Sequence, residues 1–385
     1  MKLACLSQDN VLYSKLKGVS LFQKVSLLSD FSQLNEFMEC DVMILSDRIV
    51  SFEMLSELRQ SMPYLSMFFM VSDSSDYRRF QKVETMCHAH DIYIVYPKQT
   101  QDQIISFIKG VLKPGEDIQK NQVVTFVGAQ SKVGLTSTVL AAATRLGMTT
   151  DAKIGVLGLN SWNPGTVFLK NYSGIYLDEI KTLLSNKMLA SSQLMKDMYQ
   201  HSHFFYLAGN RDIKKRLHYS IKDIHYLIEQ AKKIYDLVLI DAGCNFDDAL
   251  CIQGLLNTDS KFLVTNQQMS GLEAWNTAFE QVLEPVGFIK SDFLMIVNQY
   301  KCQPQFPDIK QLAHDYGVPC LRHIVHVGDL GLIVEANQNL IVEYDEPEYI
   351  KDIDFIAKAL VKTYRLRVKE QTPVKRLGFM QKIFS

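Results

Sequence analysis

The stretch Val123-Val-Thr-Phe-Val-Gly-Ala-Gln-Ser-Lys-Val-Gly-Leu-Thr-Ser-Thr138 constrains this chain more than any other. A short β-prone run leads into a turn punctuated by two glycines, and the residues after it suit a helix. Buried strand, close-approach loop and helix start together make the plan of a phosphate loop. There, backbone N–H groups and a helix N-terminus surround phosphate while a Lys neutralises its outer oxygens. In this frame Gly128 ends the strand, Gly134 permits close backbone approach and Thr136, followed by Ser137, offers a hydroxyl to Mg²⁺. Leu135 stands where the Lys belongs, so the geometry is kept and the charge is not.

Residues 128–137 resemble the deviant Walker A loop of the MinD/ParA ATPases, whose pattern is Gly-x-Lys-Gly-Gly-x-Gly-Lys-Thr/Ser. In that register Gln130 replaces the signature Lys that crosses the dimer interface, Ser131 and Lys132 replace two glycines, and Leu135 replaces the phosphate Lys. Further segments match at family spacing. Lys153-Ile-Gly-Val-Leu-Gly-Leu-Asn160 is similar to the second strand, which normally ends Asp-x-Asp and supplies the water-positioning carboxylate; here those positions hold Gly158 and Asn160. Tyr235-Asp-Leu-Val-Leu-Ile-Asp-Ala-Gly243 is similar to a Walker B strand, with Asp241 as the Mg²⁺-linked carboxylate. Phe293-Leu-Met-Ile-Val-Asn298 resembles the strand whose terminal Asn reads adenine. The resemblance spans about residues 122–365 and implies ATP and Mg²⁺ as cofactors. The missing charge at Gln130, Leu135 and Gly158 argues against tight binding and for a pseudo-ATPase with weak or no hydrolysis. The rival expectation is an active ATPase in which Lys132 reaches the phosphates from a shifted loop.

Ahead of this module, apolar runs at 2–6, 24–28, 41–45, 66–71 and 92–95 alternate with helix-like segments. That rhythm predicts a five-stranded doubly wound α/β sheet over residues 1–112. It resembles a response-regulator receiver domain. Ser46 then falls at the phosphoacceptor position, with Asp47 one residue on, and Ser7 and Gln8 occupy the first loop where a Mg²⁺-holding acidic pair is usual. Ser72 suits the usual hydroxyl position, while Tyr96-Pro97 replaces the usual Lys-Pro. The module is thus expected to be a protein-interaction or dimerisation unit with a pseudo-phosphosite. A polar Pro-Gly segment, 113–121, is the expected linker to the MinD/ParA-like module, over 122–368. A receiver-like module joined to a deviant-Walker module is the layout of the CpaE/TadZ family, which localises the Tad-type pilus assembly machine. The resemblance therefore implies a homodimeric scaffold with pilus or secretion assembly proteins as partners.

Composition sets limits on other readings. The net charge of −1 gives no global attraction to nucleic acid, and the seven scattered Cys suggest reduced thiols in a cytoplasmic protein. Cys87-His88-Ala-His90 lacks the separated second ligand pair of a structural zinc site, and His323 and His326 are assigned to a loop, so no metal site is expected. Residues 362–385 hold seven Lys or Arg against one acid, Glu370. Within the tail, 369–385, Leu377, Phe379, Met380, Ile383 and Phe384 share one helical arc that only Arg376 interrupts. Lys375 and Lys382 lie opposite. A basic amphipathic helix of this kind suits an anionic membrane surface, and it resembles the membrane-targeting sequence of MinD. The expected location is cytoplasmic and peripheral, at the inner face of the cell membrane.

Overall fold

The computed structural model describes residues 1–30, 40–73, 76–113, 123–258 and 260–369. Nearly all of the expected linker and the tail residues Lys375, Arg376, Leu377, Phe379, Met380, Lys382, Ile383 and Phe384 lie outside them.

The first sheet is built from β1 (Lys2–Leu6), β2 (Lys24–Leu28), β3 (Val42–Ser46), β4 (Ser66–Met70) and β5 (Tyr93–Val95). All its pairings are parallel, in the order β2-β1-β3-β4-β5. This is a doubly wound order, and it explains why β3 is apolar along its length: helices cover both faces. Leu12, Leu16, Ile104 and Ile108 pack on one face, while Leu55, Leu58, Val83 and Cys87 pack on the other. Local chemistry fixes the helix starts. Asp9 accepts the Leu12 N–H at 2.8 Å, and Thr100 and Gln103 form a reciprocal capping box.

The second sheet contains β6 (Val123–Gly128), β7 (Ile154–Gly158), β8 (Tyr199–Gln200), β9 (Phe205–Leu207), β10 (Leu237–Asp241), β11 (Ser260–Thr265), β12 (Phe293–Tyr300) and β13 (Cys320–Val325). Its order is β13-β12-β11-β6-β10-β7-β9-β8, parallel except where β8 meets β9. Helices Leu135–Thr149 and Pro347–Tyr364 cover one face and Ile221–Lys232, Ala249–Leu256 and Met269–Ala278 the other. The small side chains Ala141, Ala142 and Ala143 are fully buried and let the first of these helices lie close. The α/β fold expected from the sequence, a receiver-like sheet followed by a P-loop-type sheet, is the fold observed.

One expectation is corrected. His323 lies on β13, not in a loop: the strand pairs with β12, and Asp352 of the helix Pro347–Tyr364 accepts the Val325 N–H at 3.0 Å.

Candidate functional site

The C-terminal ends of β6, β7, β10, β11 and β12 converge where a doubly wound sheet places its ligands. The root of the glycine loop is fixed from both sides: Gly128 N–H donates to the Gly243 carbonyl and Ala129 N–H to the Val264 carbonyl, each at 2.9 Å. Gly134 has φ +79°, and a Cβ there would stand 2.1 Å from the Asn298 amide nitrogen, so this position requires glycine on two counts. Lys132 also takes a left-handed conformation, φ +61°, without that freedom, and it is exposed to solvent.

Of the side chains at the charge-depleted positions, Leu135 is buried and Gln130 is half-buried and tied to its neighbours. Leu135 is 8% exposed and belongs to the apolar cluster that includes Val139, Tyr206 and Ala208. Gln130 donates its amide to Gln268 Oε1 at 2.6 Å and accepts from Ser270 Oγ at 2.9 Å, which ties the loop to the start of the helix after β11. Asn298 donates to the Val133 carbonyl at 2.9 Å and accepts the Gln299 N–H at 2.9 Å. Thr136 Oγ1 donates to Asp241 Oδ2 at 2.5 Å, and Gly243 N–H reaches the other carboxylate oxygen at 3.2 Å. Ser137 Oγ donates to the Gly134 carbonyl at 2.9 Å.

Asp241 is buried, and burial pushes its pKa above the ordinary carboxylate value while the Thr136 and Gly243 hydrogen bonds pull it back. Gly158 ends β7 among backbone atoms: a Cβ would stand 2.8 Å from Gly209 N and 2.9 Å from the Leu207 carbonyl. Asn160 accepts the Trp162 N–H at 3.0 Å and so folds the following loop back. In that loop a Cβ on Gly165, φ +78°, would meet the Tyr206 hydroxyl, and Tyr206 donates to the Pro164 carbonyl at 2.7 Å. Sequence motifs contained no sign of Gln268, Ser270 or Tyr206 as parts of this site, since each acts through a contact made by the tertiary fold.

In the first sheet, Ser46 is buried at the end of β3. Asp47 accepts both the Ser72 hydroxyl, at 2.5 Å, and the Ser72 N–H, at 3.0 Å, while Arg48 Nε donates to the same hydroxyl at 3.0 Å. Asp9, the nearest acid on the first loop, is occupied as a helix cap and with Gln101 at 3.2 Å.

No protein-family model and no curated protein matches the chain. Solved structures do. A ParA family ATPase from Chlorobium tepidum superposes with a TM-score of 0.55 at 17% identity, over 62% of this chain and 98% of that one. The cell division protein MinD of Aquifex aeolicus superposes at 0.51 and 17%, over 66% of this chain and all of that one. The septum site-determining protein MinD of Pyrococcus horikoshii, complexed with Mg-ADP, superposes at 0.50 and 18%, over 63% and 96%. The chain thus contains a complete MinD/ParA-type P-loop fold.

Proposed function

We propose that the protein is a scaffold of the CpaE/TadZ type, which dimerises and positions a Tad-type pilus or secretion machine at the membrane through a fold that has lost most of its nucleotide switch. One observation carries this reading: Leu135 packs in the apolar core while Gln130, Asn298 and Thr136 are each held by partners within the chain. A loop whose Gln130, Thr136 and Asn298 side chains already have partners within the chain must give up those bonds to reach a nucleotide, and a Leu supplies no charge-assisted contact. MinD of Pyrococcus horikoshii, which shares the fold, was obtained with Mg-ADP. The basic amphipathic tail supports the membrane part, with a dimer supplying two such tails and hence avidity. No helix of the described residues is long and apolar enough to cross a membrane. The Gly128 loop, Asp241 and Asn298 serve here as structural elements of a dimer surface, and no nucleic-acid role is proposed.

The rival reading is an active ATPase that positions a cell-envelope or division complex by ATP-dependent membrane binding; exposed Lys132 is the residue that favours it. Sedimentation velocity separates the two. A scaffold shows the same dimer fraction with and without Mg·ATP, whereas dimerisation that requires Mg·ATP would contradict it. Co-sedimentation with phosphatidylglycerol-containing vesicles, lost on Phe379→Asp/Phe384→Asp, tests the membrane part; equal binding by the double variant would remove it.

A further inference from the structure

The surface between the two sheets carries charge of both signs, buried at Asp292 and Lys261 and partly exposed at Lys15 and Asp102. Lys15, on the helix Asn10–Lys17 of the first module, reaches Asp292 at 2.6 Å and Asp102 at 3.1 Å. Asp292 belongs to the turn that starts β12 and is itself buried. Its second carboxylate oxygen accepts the Ile289 N–H at 3.1 Å. Lys261, on β11 and only 4% exposed, lies 3.8 Å from the same Asp102. Two cations therefore face two carboxylates. Burial alone would lower the Lys15 pKa, but the Asp292 hydrogen bond and the two carboxylates carry it above the ordinary lysine value.

Neutral contacts continue the seam. Gln103 donates across it to Ser260 Oγ at 2.8 Å, and within the second module Tyr364 backs that hydroxyl at 2.5 Å and the Val123 carbonyl at 3.2 Å. Val123, Ser260 and Asp292 mark the starts of β6, β11 and β12. The other ends of these three strands lead to the Gly128 loop, to Gln268 and to Asn298, which are the parts of the candidate site that hold one another.

We infer that the first module is a fixed bracket on the second: the Lys15–Asp102–Asp292–Lys261 cluster makes the two a single cooperative body and braces, from the opposite edge of the sheet, the three strands that present the Gly128 loop. The bracket is independent of whether the site holds nucleotide. Each strand is a short, stiff parallel element, so shifting its start moves its end. Replacing Lys15 leaves the buried Asp292 carboxylate without its cation, which opposes docking.

Hydrogen exchange by mass spectrometry across a urea series on the full chain tests this. In the wild type, peptides covering 2–6, 101–112 and 123–128 should lose protection together. Lys15→Glu should separate them, the first-module peptides opening at lower urea, and should speed exchange of the 129–136 amides at least tenfold in the absence of urea. Adding Asp292→Lys to Lys15→Glu should bring the transitions back toward coincidence. Gln103→Leu with Tyr364→Phe, which introduces no charge, should give a smaller separation and keeps the test open if Lys15→Glu does not fold. Separate transitions in the wild type would overturn the single body; coincident transitions in every variant would overturn the role of the cluster; unchanged exchange at 129–136 would overturn the bracing of the loop.

Discussion

Asn298 distinguishes a loop that is held from a loop that waits for a ligand. Its side chain is 7% exposed and bridges the Val133 carbonyl and the Gln299 N–H, each at 2.9 Å. Asn298→Ala removes both bonds. Gln299 is exposed, so its N–H recovers a partner in water, but Val133 is buried and its carbonyl does not. An orphaned buried polar group costs about 1–3 kcal/mol, and the lost packing adds to it, so a destabilisation of about 2–3 kcal/mol is expected. At roughly 2–4 °C per kcal/mol for a unit of this size, the nucleotide-free melting midpoint should fall by about 4–12 °C. Fluorescence of the fully buried Trp275 reports the transition. A midpoint within 1 °C of the wild type would refute the argument, because it would mean that the amide contributes nothing to the empty loop.

Three further outcomes follow from the same geometry. Gly147→Ala places a Cβ 1.9 Å from the His203 carbonyl and should cost about 1–3 kcal/mol in urea unfolding despite the better helix former. Lys132→Gly relieves a left-handed conformation at φ +61° and should stabilise the protein by about 0.5–1 kcal/mol in the same assay. Asp241→Asn should raise the melting midpoint at pH 7. The Asp241 pKa is raised by burial, so the folded state holds this proton to higher pH than the unfolded chain and is penalised above that range; the advantage of Asn should shrink as pH falls toward the ordinary carboxylate range. An advantage that is constant with pH would exclude titration of Asp241 as its cause.

Strands buried on both faces announce themselves in sequence, which is why 2–6 coincides with β1 and why the strand ending at Asp241 is plain. The helix Ile309–Tyr316 is equally clear, since Asp308 caps it and Gly317 ends it with φ +65°. The helical apolar spacing of 175–198 breaks near Asn186, and two short helices, Lys181–Ser185 and Ser191–Asp197, flank Lys187 at φ +55°. Strand β13 is hidden because Arg322 and His323 interrupt its apolar run, and its environment comes from Asp352, which also accepts from Arg322 Nε at 2.9 Å. The motif positions of the site could be read individually. Their contacts could not: the Gln130 clasp reaches 138 residues along the chain and the Asn298 bond 165, and no local pattern encodes such pairings.

The central claim, that this P-loop fold has exchanged nucleotide for internal contacts, is tested most directly by titrating the full-length protein with Mg·ATP in a calorimeter. The account predicts no saturable heat up to millimolar nucleotide and no phosphate release above that of Leu135→Ala. Micromolar affinity, with hydrolysis that disappears in Asp241→Ala, would contradict it.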